Sequence, residues 1–127
     1  MIKTLDPSEY SKLIDLAESV TLGEKIDFKC TFIVKEDESG KILGAAGTRF
    51  DFISPRFEHI IVREEYQKTS LAGRLMLETE KLVRSEGHTA YVALIPQTNE
   101  IMTMYAIKFG FKEYDKGKSG MWFYKQL

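Results

Sequence analysis

The chain has little cysteine, proline or tryptophan: one Cys, three Pro and one Trp in 127 residues. A lone cysteine, Cys30, closes no internal disulfide, and a reducing cytoplasm is the setting this implies. No apolar run approaches the roughly 20 residues that span a bilayer. The start, from Met1 to Pro7, lacks the apolar core of an export signal. An excess of one charge is also missing. The 18 Lys and Arg are interspersed with 19 Asp and Glu, for a net charge of −1. Neither a nucleic-acid footprint nor an anionic-membrane patch is written there, so no nucleic-acid or membrane partner is expected. His59 and His88, the only histidines, form no ligand cluster with Cys30, and no metal site is expected.

What is present describes one globular domain. Hydrophobic residues make up 43% and aromatics 12%, enough for one core at this length and too little chain for two. Neither a repeat nor a low-complexity linker divides it.

The most informative stretch runs from Phe57 to about Glu86. Phe57 to Val62 is a β-branched and aromatic run that suits a strand. Arg63 to Tyr66 is a charged connector. From Ser70 onward Leu71, Leu75, Met76, Thr79, Leu82 and Val83 recur at helical spacing, and Gly87 stands where a left-handed cap residue closes a helix. The first turn of a helix leaves about four N–H groups unpaired, and its dipole favours negative charge. Ser70, Ala72 and Gly73 are small enough for a phosphate to approach the backbone. The stretch therefore reads either as a cradle for a pyrophosphate or as an ordinary strand-to-helix turn.

Around it, Ile2 to Leu5 reads as a strand. Asp6, Pro7 and Glu9 predict a helix start with a capping box, leading to an apolar face of Tyr10, Leu13, Ile14 and Ala17 that ends near Val20. Thr21 to Phe28 is a connector. Cys30 to Lys35 and Lys41 to Phe52 read as strands joined by a turn at Glu36 to Gly40. The small cluster Gly44 to Gly47 predicts a close helix approach or a bulge. Ser54 and Pro55 break the pairing before the next strand. Thr89 to Ile95 is a nearly continuous apolar run, expected to be covered on both faces. Pro96 stops it, Asn99 starts a helix that runs toward Gly110, and Phe111 to Tyr114 and Gly120 to Lys125 form a last antiparallel pair. The order β-α-β-β-β-α-β-α-β-β predicts an α/β (α+β) domain, a mixed sheet with helices on both faces.

With these residues in place the sequence resembles the GNAT superfamily of acetyl-CoA-dependent N-acetyltransferases. The likeness rests on Val62, on Gln67-x-x-Ser70-x-Ala72 opening a helix, on Leu75, on Asn99 and on Gly110-Phe111, and it covers roughly Ile42 to the C-terminus. Ser70 departs from the family's usual glycine, and Ala106 from the tyrosine that in many members protonates the leaving thiolate. Tyr105 is one residue off, about 100° around a helix. The resemblance implies a mostly antiparallel GNAT sheet and acetyl-CoA as cosubstrate without a metal. Direct transfer to a primary amine on a small molecule or a protein, in a ternary complex, would follow. A second implied reading is a GNAT-fold module that binds an acyl-CoA with little or no turnover.

By that resemblance the N–H groups of Lys68, Thr69, Ser70, Leu71, Ala72 and Gly73, with Gln67, hold the pyrophosphate. The main chain of Ile60, Ile61 and Val62 pairs with the pantetheine and the thioester oxygen. Asn99 is either a cofactor contact or a helix cap. An amine with a pKa near 10 needs a base or water chain to neutralise it. Glu58 and His59 are the candidates on the key strand, expected on opposite faces because side chains alternate. Glu24, Asp27 and Asp51 are further groove candidates. Tyr105 is the candidate acid, with solvent as the alternative. Cys30 has no neighbouring base in sequence and reads as a buried strand cysteine. Homodimer is the association expected from the frequency of symmetric pairs.

Overall fold

A computed structural model of the chain describes residues 1–20 and 25–127. The elements are β1 (Ile2–Thr4), α1 (Lys12–Ser19), β2 (Thr31–Glu36), β3 (Ile42–Arg49), β4 (Arg56–Val62), α2 (Leu71–Ser85), β5 (Ala90–Ile95), α3 (Glu100–Lys108), β6 (Lys112–Lys116) and β7 (Met121–Gln126). Short 3-10 turns occupy Pro7–Glu9 and Glu64–Tyr66. The strands form one seven-stranded sheet in the order β1-β2-β3-β4-β5-β7-β6. Every neighbouring pair is antiparallel except β4 and β5, which are parallel. This is the expected fold class and element order.

Two cores lie on the two faces of the sheet. Leu13 and Leu16 of α1 pack with Phe32, Val34, Ile42, Ala45 and Ile61. Leu75, Met76 and Val83 of α2 and Met102 and Ala106 of α3 pack with Phe57, Val62, Tyr91, Ala93 and Phe123. The cluster at Gly44 to Gly47 is where backbones and side chains come closest. A Cβ added at Gly44 would meet Leu71 and Leu75 of α2 at 3.1 Å, and one at Gly47 would meet the Phe32 ring at 2.6 Å.

Both long helices end alike. Gly87 and Gly110 have φ of 86° and 93°. The N–H of the glycine and of the next residue reach back to Arg84 and Val83 in one case, and to Ile107 and Ala106 in the other. That paired bonding satisfies the last carbonyls, and only glycine adopts the positive φ without a Cβ penalty.

Four local expectations are corrected. Asp6 does cap, accepting from Ser8 N–H at 2.9 Å, but it caps a 3-10 turn, and α1 begins only at Lys12. The capping box is not made, because Glu9 turns to Lys12 at 2.7 Å instead of back to the Asp6 N–H. Along α1 Leu16 fills the core position and Ile14 is exposed, since the later start rotates the buried face. Strand β5 has one fully buried face, Tyr91, Ala93 and Ile95, while Ala90, Val92 and Leu94 are half-exposed. No helix of the described residues covers that second side. The first half of the Thr21–Phe28 connector, residues 21–24 with the candidate Glu24, lies outside the described residues.

Candidate active site

The parallel pair β4 and β5 meets in register only at Arg56 and Val92, with Val92 N–H bonded to Pro55 at 3.0 Å. Beyond that point the strands part. The β5-facing edge of β4 from Glu58 to Val62 is left without a strand partner, a slot bounded by the parting ends of both strands. On its other side β4 pairs with β3, Val62 opposite Gly44 and Ile60 opposite Ala46. Ile61 and Val62 are buried on opposite faces and Ile60 is half-buried, so the side chains at these three positions are core and what they offer the slot is main chain.

At its open end the slot runs into the loop before α2. Arg63 is buried there. It donates from Nε to the Ile42 carbonyl at 2.7 Å and from Nη2 to Asp15 at 2.6 Å, tying the loop to β3 and α1. The Gln67 side chain donates to the Val62 carbonyl at 3.0 Å. Thr69 Oγ1 donates to Tyr66 O at 2.6 Å and accepts from the Leu71 N–H at 3.2 Å. The Gln67 and Thr69 N–H groups close the 3-10 turn on Glu64 and Tyr66. Among the described residues this leaves the N–H groups of Lys68, Ser70, Ala72 and Gly73 with no protein acceptor. Ser70 stands at the N-cap without capping, because Thr69 has taken that role from one residue earlier. Ala72 is buried, whereas a Cβ on Gly73 would only touch Phe109 at 3.7 Å.

The other end of the slot carries the titratable groups. Opposite Gly47 stands His59 and opposite Thr48 stands Phe57, so Glu58 is the extra residue of a β-bulge. Phe57 packs in the α2 core, while His59, two residues on, stacks on Phe32 at 6.3 Å in the α1 core. The bulge thus breaks the strict alternation on which the opposite-face expectation for Glu58 and His59 rested. Glu58 is partly buried and lies 2.9 Å from Arg56. His59 is 4% exposed, and its Nε2 accepts the Asp27 N–H at 2.9 Å. Burial pushes its imidazole down to about 4, so the ring is neutral and its accepting nitrogen is already in use. Arg49 donates to Asp51 at 2.9 Å and to Asp27 at 3.1 Å, gathering two of the groove candidates. Cys30 is buried in the α1 core, and that burial first, then Asp27, pushes its thiol up. It is no nucleophile at neutral pH.

On α3 Asn99 caps the helix, its side chain accepting from the Met102 N–H at 3.1 Å. Tyr105 is 8% exposed and stacks on Phe109 with ring planes 2° apart. Burial raises its phenol above the usual value. Phe109 is also the ring nearest Gly73, so Tyr105 sits behind the first turn of α2. Sequence reading missed Arg56 and Arg63 as organising residues. The partners of Arg63 and the rings beside Arg56 come from other elements, and charged residues beside a strand look alike on paper.

An unpaired strand edge leading to a helix N-terminus is a site for an extended ligand ending in an anion, the arrangement of an acyl-CoA-dependent transferase. A family model described as acetyltransferase (GNAT) domain matches residues 3–123. The chain belongs to the GNAT acetyltransferase family. Among solved structures it is similar to a PaiA N-acetyltransferase of Thermoplasma acidophilum in complex with coenzyme A, with TM-score 0.81 and 15% identity over 100% of this chain and 98% of that one. A GNAT acetyltransferase of Staphylococcus aureus Mu50 gives 0.79 and 15%, with the same coverage of both chains. The ribosomal-protein-S18-alanine N-acetyltransferase of Escherichia coli gives 0.75 and 13%, over 100% of this chain and 93% of that one. Comparison with curated protein sequences gives no match.

Proposed function

We propose that the protein transfers an acetyl group from acetyl-CoA to a primary amine, directly and within a ternary complex. One observation carries the reading: β4 parts from β5 beyond Arg56 and leads, unpaired, to four free N–H groups at the start of α2. The N–H groups of Lys68, Ser70, Ala72 and Gly73, with the Ser70 hydroxyl, hold the diphosphate against the positive end of the helix dipole. The main chain of Ile60 to Val62 binds the pantetheine amides and polarises the thioester carbonyl. Gln67, Thr69 and Leu71 support the loop through their own bonds, and Asn99 frames the slot from the start of α3.

Glu58, at the bulge, takes a proton from the arriving ammonium, directly or through one water. The freed amine attacks the thioester carbon, the nitrogen gives its second proton to water, the C–S bond breaks and the sulfur leaves as thiolate. Tyr105, kept protonated by burial, is the donor for that sulfur. His59 serves by shaping the Asp27 segment, not as the base.

Calorimetric titration with acetyl-CoA and with CoA tests the cradle, and micromolar binding is expected. No binding up to millimolar concentration overturns the proposal. On an amine panel Glu58→Gln should lower kcat/KM about 100-fold or more with acetyl-CoA affinity kept, and wild-type turnover would remove Glu58 from the role. Unchanged kcat in Tyr105→Phe would assign the sulfur's proton to solvent. The second reading, a CoA-binding module of low turnover, draws on Ala106, buried where the family resemblance places a tyrosine. Acetyl-CoA binding without acetylation of any amine would favour it.

A further inference from the structure

Arg56 stands where β4 and β5 separate, the one β4 residue in register with β5. Its guanidinium lies over two rings from two other elements. The guanidinium carbon is 3.8 Å from the centroid of Phe52, in the β3–β4 loop, and 5.6 Å from that of Trp122, on β7. Its Nε lies 2.9 Å from Glu58 Oε1, yet this buried nitrogen makes no hydrogen bond. The approach is off the N–H axis, so charge and the flanking rings hold the pair, not a directed bond. The arrangement sits on the sheet face opposite α2 and α3, the face that carries α1 over β2 to β4, at its β5 end beside half-exposed Val92 and Leu94.

A long arginine side chain at a strand start ordinarily moves freely in water. Two ring faces remove that freedom and favour the cation electrostatically. The bulge in turn brings Glu58 out of the regular pleat toward Arg56.

We propose that Arg56, clamped between Phe52 and Trp122, is a positioning residue that fixes the Glu58 carboxylate at the bulge and keeps it charged. This rests on the acetyl-transfer reading of the same site and gives Arg56, Phe52 and Trp122 a part that reading does not require. Among the described residues, Glu58 acts on the Cys30 thiol together with Asp27, Arg49 and Asp51, with neutral His59 next along the strand and Lys29 near Asp51. Arg49 is already shared by two aspartates. Arg56 stands 2.9 Å from Glu58 and, among the described residues, is not shared with an aspartate. An opposite charge this close lowers a carboxylate's pKa, so Glu58 stays ready to accept a proton at pH values where a free glutamate has begun to lose that capacity.

The test is a titration of Glu58 itself by NMR on protein labelled at the glutamate side-chain carboxyl carbon, with the signal assigned by its loss in Glu58→Gln. Arg56→Met is expected to raise the apparent pKa of Glu58 by about one unit or more, Arg56→Lys to raise it less, and Trp122→Leu to raise it with every charge still present. Circular dichroism and thermal melts confirm folding, and should Arg56→Met not fold, Trp122→Leu carries the comparison. In turnover, the acid limb of kcat/KM against pH should move up by the same amount while acetyl-CoA affinity stays constant. A Glu58 titration unmoved in the folded variants overturns the inference. A wild-type protein that binds acetyl-CoA but acetylates no amine overturns the transfer reading instead, and the titration still decides the pair.

Discussion

At the scale of single residues, side chains of similar sequence appearance are put to different uses by burial. Glu58 and His59 are adjacent candidates on one strand. The structure leaves the carboxylate at the slot and seals the imidazole against Phe32, with its nitrogen taken by Asp27. That has a consequence for stability. The folded imidazole titrates near 4, below the roughly 6.5 of an unfolded histidine. Between those values the unfolded chain binds more protons, so His59's contribution is complete above about pH 6.5 and is lost as pH falls toward 4. From pH 7.5 to 5 the loss from this group is about 2 kcal/mol. Urea unfolding at the two pH values measures it, and His59→Gln should flatten that part of the profile. An equal slope in the variant would show that other groups carry it. Arg63 makes the same point without titration. It reads as one charge in a connector, yet it is buried on partners 21 and 48 residues away in the chain, a distance no local pattern spans.

At the scale of elements, most of the chain was legible. β-Branched and apolar runs between turn residues, with apolar residues at helical spacing, placed seven strands and three helices in the observed order, because these preferences act over a few consecutive residues. The misreadings occur where local signals compete. Asp6, Pro7 and Glu9 carry every mark of a helix start, but Glu9 finds Lys12 and the α-helix waits one turn. Glycine shows how context reverses one substitution. A Cβ at Gly120, ahead of β7, would stand 2.3 Å from the Ile95 carbonyl oxygen. Backbone at the end of β5 cannot yield as a flexible side chain can. Gly120→Ala should therefore cost about 3 kcal/mol. At Gly73, within α2, the added Cβ meets only Phe109 at 3.7 Å, and Gly73→Ala should stabilise by about 0.5–1 kcal/mol through helix propensity. Thermal melts of the two variants without ligand should move in opposite directions, and a shared direction would refute the packing argument.

At the scale of the whole molecule, the site joins elements that are far apart in sequence, so binding acetyl-CoA should stabilise the entire fold. At roughly 100 times its dissociation constant a ligand adds about 2.7 kcal/mol, about 10 °C in melting temperature for a domain of this size. Ser70→Asp separates ligand binding from folding. A carboxylate at the N-cap suits the helix dipole and should leave the unliganded melting temperature equal or higher. The same charge repels a diphosphate, so affinity should fall about tenfold and the ligand-induced shift should shrink with it. A variant that binds acetyl-CoA as the wild type does would place the diphosphate elsewhere. By itself the sequence determined the element order, the helix end at Gly87 and the small residues from Gly44 to Gly47 where α2 and Phe32 pack close, since each depends on a few consecutive residues. Only the tertiary structure decided that β4 leaves β5 after one registered pair, that a bulge turns Glu58 toward Arg56, that Phe52 and Trp122 enclose that arginine, and that His59 is spent on Asp27. Those outcomes depend on which distant groups become neighbours and on how much water they lose when they do.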